Sequence, residues 1–164
     1  MDRLAHIRQS IEFARGYTQR FLDATPVDDW LRIPAAGVSH VAWQVGHLAM
    51  AQYRLALERV RDHRPEDAQL VSDEFLRVFG RDSVPTTEMP IDLAEIQATF
   101  LRVHEQVLAE LSQWPEPVLD EAVLKPHAIA RTKFDALQWC ANHELVHAGQ
   151  IGLLRRQLGH PPLW

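Results

Sequence analysis

Apolar and small residues recur at spacings of three and four near the N-terminus and again in the second half of the chain. This spacing is typical of helices that pack along one side. The N-terminal set comprises Leu4, Ile7, Ile11, Ala14, Thr18 and Phe21. The later set comprises Ile96, Phe100, Val103, Val107 and Leu111. Each set predicts one long helix with a buried face.

Capping residues predict where two further helices begin. Ser39 is the predicted N-cap of a second helix that runs to about Arg61. Thr132-Lys133-Phe134-Asp135 is typical of a helix N-terminus, and the helix that follows is predicted to run to about Leu158. In chain order these are the second and the fourth of four long helices.

The connection over residues 62–90 is long and irregular, with a short helix predicted at 72–79. Its chain breakers are Pro65, Gly80, Pro85 and Pro90. Long connections of this kind carry a chain across a helix bundle. No segment alternates like a strand, and 164 residues suffice for one core. We therefore expect an all-α, four-helix bundle with long crossover connections, in a single domain over residues 1–164.

Two histidines lie four residues apart in the predicted fourth helix, in the string His143-Glu144-Leu145-Val146-His147. Residues four apart share one helix face, so both imidazoles can point at a single ion. Two imidazoles leave most metals short of their usual coordination number, and His47 in the second helix is the candidate third ligand. Three protein ligands with an open position are typical of catalytic metal sites.

The same string matches the H-E-x-x-H pattern of zinc peptidases, in which Glu144 would be the general base. Glu144 is rotated by about 100° from His143, so it could equally face solvent or pair with another helix. The chain also contains nine histidines, which leaves open a fourth helix whose histidines only pack. From the residues alone, both alternatives stay open.

Several other residues lie on the same helices as the three histidines. Gln150 follows His147 by three residues and could hydrogen-bond a ligand or a metal-bound water. Cys140 shares the face of His143 and His147, although a lone cysteine is more often a small buried residue. The remaining candidates for the lining of the pocket are His40, Trp43 and Trp139. Core packing is the alternative role of both tryptophans.

The composition of the chain argues against two classes of partner, nucleic acids and membranes. The net charge of −5, with acidic and basic residues interspersed, is not the basic excess of a nucleic-acid-binding protein. The single cysteine, Cys140, cannot form an internal disulfide, and the N-terminus has no apolar signal core. No apolar run is long enough to span a bilayer. We therefore expect a cytoplasmic protein with neither a nucleic-acid nor a membrane partner.

Two segments of the chain are informative together: Trp43-Gln44-Val45-Gly46-His47-Leu48-Ala49 and His143-Glu144-Leu145-Val146-His147-Ala148-Gly149-Gln150. As a pair they resemble the DinB-like family of small metal-binding four-helix bundles. The likeness extends over nearly the whole chain, from the first helix to Leu158. It implies an up-down-down-up bundle, often a homodimer, in which His47, His143 and His147 hold a divalent metal ion. Zinc is the expected ion, with nickel or iron as alternatives.

Activities in that family include transfer to low-molecular-weight thiols, a mycothiol-dependent isomerisation and metal-dependent hydrolysis. The resemblance therefore implies a small-molecule substrate and a metal that activates a thiol or water. Arg54 and Gln150, which lie on the same two helices as the three histidines, are our candidates for positioning the thiol. A non-catalytic metal-binding or structural module is the alternative from another class. The resemblance disfavours the peptidase, because such enzymes usually draw a third ligand from downstream of the motif and only 17 residues follow His147.

Overall fold

A computed structural model describes residues 2–163, and its regular structure is helical apart from one isolated bridge between Ala122 and Thr132. The helices are α1 (Arg3–Asp23), α2 (starting with Val41–Tyr53), α3 (Asp73–Val78), α4 (Leu93–Leu111) and α5 (Lys133–Gln157). The predicted all-α class and the short helix within the long connection are thus confirmed. Within residues 2–163, none of these helices combines the length and the apolar composition that crossing a bilayer requires.

Helix α2 is not regular over its whole length. After Val41–Tyr53 it widens into a π-helical turn over Arg54–Glu58 and closes with an α-helical turn over Arg59–Arg61. It therefore ends where the sequence predicts. A π-helical turn inside an α-helix is rare and is frequently found beside a functional site.

The predicted N-cap of α2 was wrong by one residue. His40, not Ser39, caps the helix, because its ring Nδ1 accepts the backbone N–H of Trp43. The Ser39 hydroxyl instead accepts a hydrogen bond from the side-chain amide of Gln44. Both residues lie next to the helix start, and the imidazole occupies the position that a capping oxygen usually takes.

Three other helices also begin at side-chain caps. Ser72, Asp92 and Thr132 each accept the backbone N–H of the residue three positions on. Thr132 also forms a reciprocal capping box with Asp135. Each such cap stabilises a helix by about 1 kcal/mol. Just beyond α5, Gly159 has a φ of 93°, the left-handed conformation that commonly ends a helix.

The core lies where the long helices face one another. Helix α1 packs along α5, α2 packs along α4, and α2 also contacts α5. The predicted stripes of α1 and α4 are buried, except that Leu4 at the end of α1 is half-buried. Because α2 is in contact with α5, the helix that carries His47 lies against the helix that carries His143 and His147.

Gly46 allows the residue that follows α3 to approach α2 closely. A Cβ atom at Gly46 would lie 2.4 Å from ring atoms of Phe79, which is far inside a non-bonded contact. Glycine is a weak helix former, so its place inside α2 indicates a packing reason, and Phe79 is that reason. Phe79 is itself fully buried, so its ring has little room to move away.

We expect Gly46→Ala to lower the free energy of unfolding by about 1–3 kcal/mol, because the added methyl group must displace the Phe79 ring. Gly16→Ala in α1 is the matched control, since nothing lies within 4 Å of a Cβ there. It should be neutral or stabilise by up to about 1 kcal/mol. Urea unfolding followed by circular dichroism measures both variants. Equal effects of the two alanines would contradict the close contact.

Candidate metal centre

Helices α2 and α5 bring His47, His143 and His147 together. One ring nitrogen from each lies within 4.8 Å of the others. The Nε2 atoms of His143 and His147 are 3.2 Å apart. The ring centroid of His47 is 4.7 Å from that of His147 and 5.3 Å from that of His143. The three predicted ligands thus form one cluster.

Hydrogen bonds at the far side of two rings fix which nitrogen faces the cluster. Nδ1 of His147 donates to the side-chain oxygen of Gln44. This assignment follows because the amide nitrogen of Gln44 donates to the side-chain oxygens of Ser39 and Gln150. Nδ1 of His47 donates to the backbone carbonyl of Phe79 at 2.9 Å. In both rings Nε2 therefore carries the lone pair, which is the form a metal ion requires.

Burial keeps the three imidazoles neutral. Together with the neighbouring histidines, burial lowers the pKa of His143 to about 4 and that of His147 to about 3. Burial also lowers the pKa of His47 below its ordinary value, with a smaller effect of the Arg54 charge. A metal ion does not have to compete with protons for these nitrogens near pH 7.

This donor set fits a divalent transition metal. Imidazole nitrogen suits zinc, nickel and iron. A four-coordinate zinc ion at its usual Zn–N distance places two ligand nitrogens about 3.3 Å apart, close to the separation of the Nε2 atoms of His143 and His147. Among the described residues, the cluster contains no cysteine or carboxylate. Three protein ligands leave a position for another molecule.

Glu144 is turned towards α1 instead of the cluster. It is buried, and its two carboxylate oxygens accept hydrogen bonds from Arg15 at 2.7 and 3.2 Å. A general base has to reach the proton that it removes, and both oxygens here are engaged elsewhere. The position of Glu144 therefore gives no support to peptidase chemistry.

Cys140 and Trp139 differ in their relation to the cluster. Cys140 is buried and is not one of its members, and burial raises the pKa of the thiol. It occupies the position of a small core residue. Trp139 is half-buried, and its ring meets His143 edge-on with 6.2 Å between centroids. Only the tryptophan borders the metal centre.

His40 and Trp43 support the centre from the start of α2. Both ring nitrogens of His40 are engaged, since Nδ1 caps the helix and Nε2 lies 2.9 Å from the backbone carbonyl of Thr86. Trp43 stacks on the ring of His47 with 4.8 Å between centroids, and its indole N–H donates to Ser83. His40 is therefore a structural residue, and Trp43 covers one face of a candidate ligand.

The sequence did not predict the two hydrogen-bond partners that hold the rings of His147 and His47. Gln44 holds His147, although the sequence indicates only that it lies on the face of His47. Gln150, expected near a ligand, is exposed and accepts a hydrogen bond from Gln44 at 3.0 Å. The Phe79 carbonyl had no sequence signal, because every residue has a backbone carbonyl.

Gln44→Leu should reduce the affinity for zinc by about 10–100-fold, because His147 loses the acceptor that orients its ring. Leucine fills a similar volume, so the buried position is not left empty. Gln97→Leu on the exposed side of α4 is the control and should bind zinc like the wild type. Competition with a chelating dye measures the affinity. Identical affinities of the two variants would rule out an orienting role for Gln44.

The fold and the cluster define an all-helical protein with a candidate metal centre between two of its long helices. A family model described as the DinB superfamily matches residues 10–151. The chain therefore belongs to the DinB superfamily, as the two histidine-containing segments predict. No significant match was found among curated proteins or among solved structures.

Proposed function

We propose that this protein is a metal-dependent enzyme in which His47, His143 and His147 hold a divalent cation. Zinc is the first candidate, followed by nickel and iron. The main support is that Phe79 and Gln44 fix two of the rings with their Nε2 atoms towards one point. When bound there, the cation would act as a Lewis acid that lowers the pKa of a thiol or water.

Transfer to a low-molecular-weight thiol is favoured over hydrolysis. Hydrolysis usually needs a general base near the attacking water, and the carboxylate nearest in sequence, Glu144, is bound to Arg15. A thiol whose pKa has been lowered is already a nucleophile and needs no such base. The protein then has only to orient the ligands and to hold the two reactants.

A cleft lined by two neighbours of the cluster offers room for those reactants. One cleft has a volume of about 570 Å³, within the usual range of small-molecule sites. Its lining includes Trp43 and Gln44, which contact two of the candidate ligands, and also Gln150. A small molecule in this cleft would therefore lie beside the centre.

Two features implied by the family belong to the same proposal. We propose that the long helices run in the up-down-down-up order. We also propose a homodimer, for which exposed apolar side chains on α5, such as Leu153 with 54% exposure, offer a surface. Sedimentation analysis of the full chain tests the dimer.

The enzymatic proposal is tested by incubating zinc-loaded protein with a set of small thiols and a chromogenic electrophile. We expect thiol conjugation above the rate with metal-free protein, and no such excess for His143→Ala. His6→Ala, at an exposed position of α1, is the matched control and should behave like the wild type. Equal rates with and without metal would reject the proposal, and a tightly bound metal with no thiol binding would support a non-catalytic module.

A further inference from the structure

Arg54 is a half-buried cation with an unused guanidinium group. It lies on α2, seven residues after His47, which is about 10 Å along the helix axis. Side chains on a helix lean towards its N-terminus, so that of Arg54 extends towards His47. Its charge contributes to the lowered pKa of His47. Within residues 2–163, the Arg54 side chain makes neither a hydrogen bond nor an ion pair.

Arg81 is a second cation of this kind. It lies in the connection after α3, is exposed, and its side chain likewise has no polar partner among residues 2–163. It lines the 570 Å³ cleft and a neighbouring cleft of about 580 Å³, which Arg54 also lines. The two clefts share Arg81, Ser83 and Val84. Arg81 therefore lies at the junction of the 570 Å³ cleft, which Trp43 lines, and the 580 Å³ cleft, which Arg54 lines.

The charge of this region is opposite to that of the whole chain. The chain has a net charge of −5, yet the 580 Å³ cleft is lined by three arginines and one aspartate. Of these arginines, Arg77 pairs with Glu74 at 3.5 Å. The three imidazoles are neutral, so they would not offset the charge of a metal ion bound between them. Such an ion would add to the positive charge of this region. A guanidinium removed in part from water is best satisfied by a carboxylate, which it can bind through two parallel hydrogen bonds.

We propose that the small molecule that binds beside the metal centre carries a carboxylate, and that Arg54 and Arg81 bind this group. The inference rests on the proposed function and adds the chemical class of the cosubstrate, a small thiol acid. The arginines are binding residues that select the cosubstrate by charge. A metal ion held by His47, His143 and His147 would bind its thiol.

Three thiols of similar size and different charge test this assignment. They are 3-mercaptopropionate, 2-mercaptoethanol and cysteamine, which are anionic, neutral and cationic. Protein loaded with cobalt(II) reports thiolate binding through a charge-transfer absorption band, which does not depend on turnover. The wild type should bind 3-mercaptopropionate about tenfold more tightly than 2-mercaptoethanol, with cysteamine weakest.

The double variant Arg54→Gln/Arg81→Gln should lose this preference, with the acid and the alcohol binding within about threefold of each other. Its cobalt content should match that of the wild type, because neither arginine is a candidate ligand. Arg20→Gln on the exposed side of α1 is the matched control and should keep the tenfold preference.

Two results would overturn the assignment while leaving the proposed function in place. One is equal binding of all three thiols by the wild type. The other is a preference for the acid that survives in the double variant, because the carboxylate would then bind the metal. A cobalt-loaded protein that binds none of the three thiols would reject the thiol acid together with the proposed function.

Discussion

Alanine in place of His147 is expected to weaken zinc binding by more than about 100-fold, which is beyond the effect of losing an orienting partner alone. His147 is the most buried of the three candidate ligands, and its ring is held by Gln44. Its removal leaves His47 and His143, and two imidazoles do not complete the coordination sphere of zinc. Competition with a chelating dye gives the affinity of each variant.

The same change should remove the stabilisation that zinc provides. A ligand that binds only the folded chain raises the free energy of unfolding by about 3 kcal/mol when its concentration is 100 times the Kd. The wild type and His6→Ala should therefore melt at a higher temperature with zinc than with a chelator, and His147→Ala should not. An equal zinc-dependent shift in His147→Ala would contradict the three-histidine centre.

The second large effect is expected from Arg15→Met. Arg15 is buried, forms the ion pair with Glu144, donates to Gln52 and the Phe100 carbonyl, and lies over the Phe100 ring. The variant leaves the Glu144 carboxylate buried without its partner, which should lower the free energy of unfolding by about 3–5 kcal/mol. Since small domains are stable by about 5–15 kcal/mol, urea unfolding will show this readily.

A double variant separates the ion pair from the packing around it. Arg15→Met/Glu144→Leu removes both charges and should be more stable than Arg15→Met alone, because a buried ion pair can often be replaced by apolar side chains. A single variant within about 1 kcal/mol of the wild type would contradict the pairing.

Glu144→Gln distinguishes a structural from a catalytic role of the glutamate. We expect lower stability with unchanged zinc affinity, because Glu144 belongs to the ion pair with Arg15 and not to the cluster. Peptidase chemistry would require the opposite pattern, a stable variant that has lost only its hydrolytic activity.

Local sequence signals accounted for most of the helices. The stripes of α1 and α4 and the caps at Ser72, Asp92 and Thr132 depend on residues within a turn or two of each other. The N-cap of α2 was mistaken because Ser39 and His40 can both accept a backbone N–H. The ring of His40 is held by the carbonyl of Thr86, which is 46 residues away in sequence.

Helix geometry predicts the part of the candidate site that lies on a single helix. The spacing of His143 and His147 places both on one face. His47 is a candidate from its place in the second helix, and the family resemblance implies the same residue. The orienting contacts depend on packing between distant segments. Gln44 and His147 are 103 residues apart, and Arg15 and Glu144 are 129 residues apart. No local pattern indicates which of several polar residues will meet across the core.

The metal content of the purified protein is the most direct test of the three-histidine centre. Protein prepared without an affinity tag or a chelating resin is measured by elemental mass spectrometry, beside a variant in which His47, His143 and His147 are all alanine. We expect about one divalent metal ion per wild-type chain and none in the folded triple variant, because the three imidazoles together hold a single ion. A folded wild type that retains no metal after incubation with zinc, nickel or iron would contradict it.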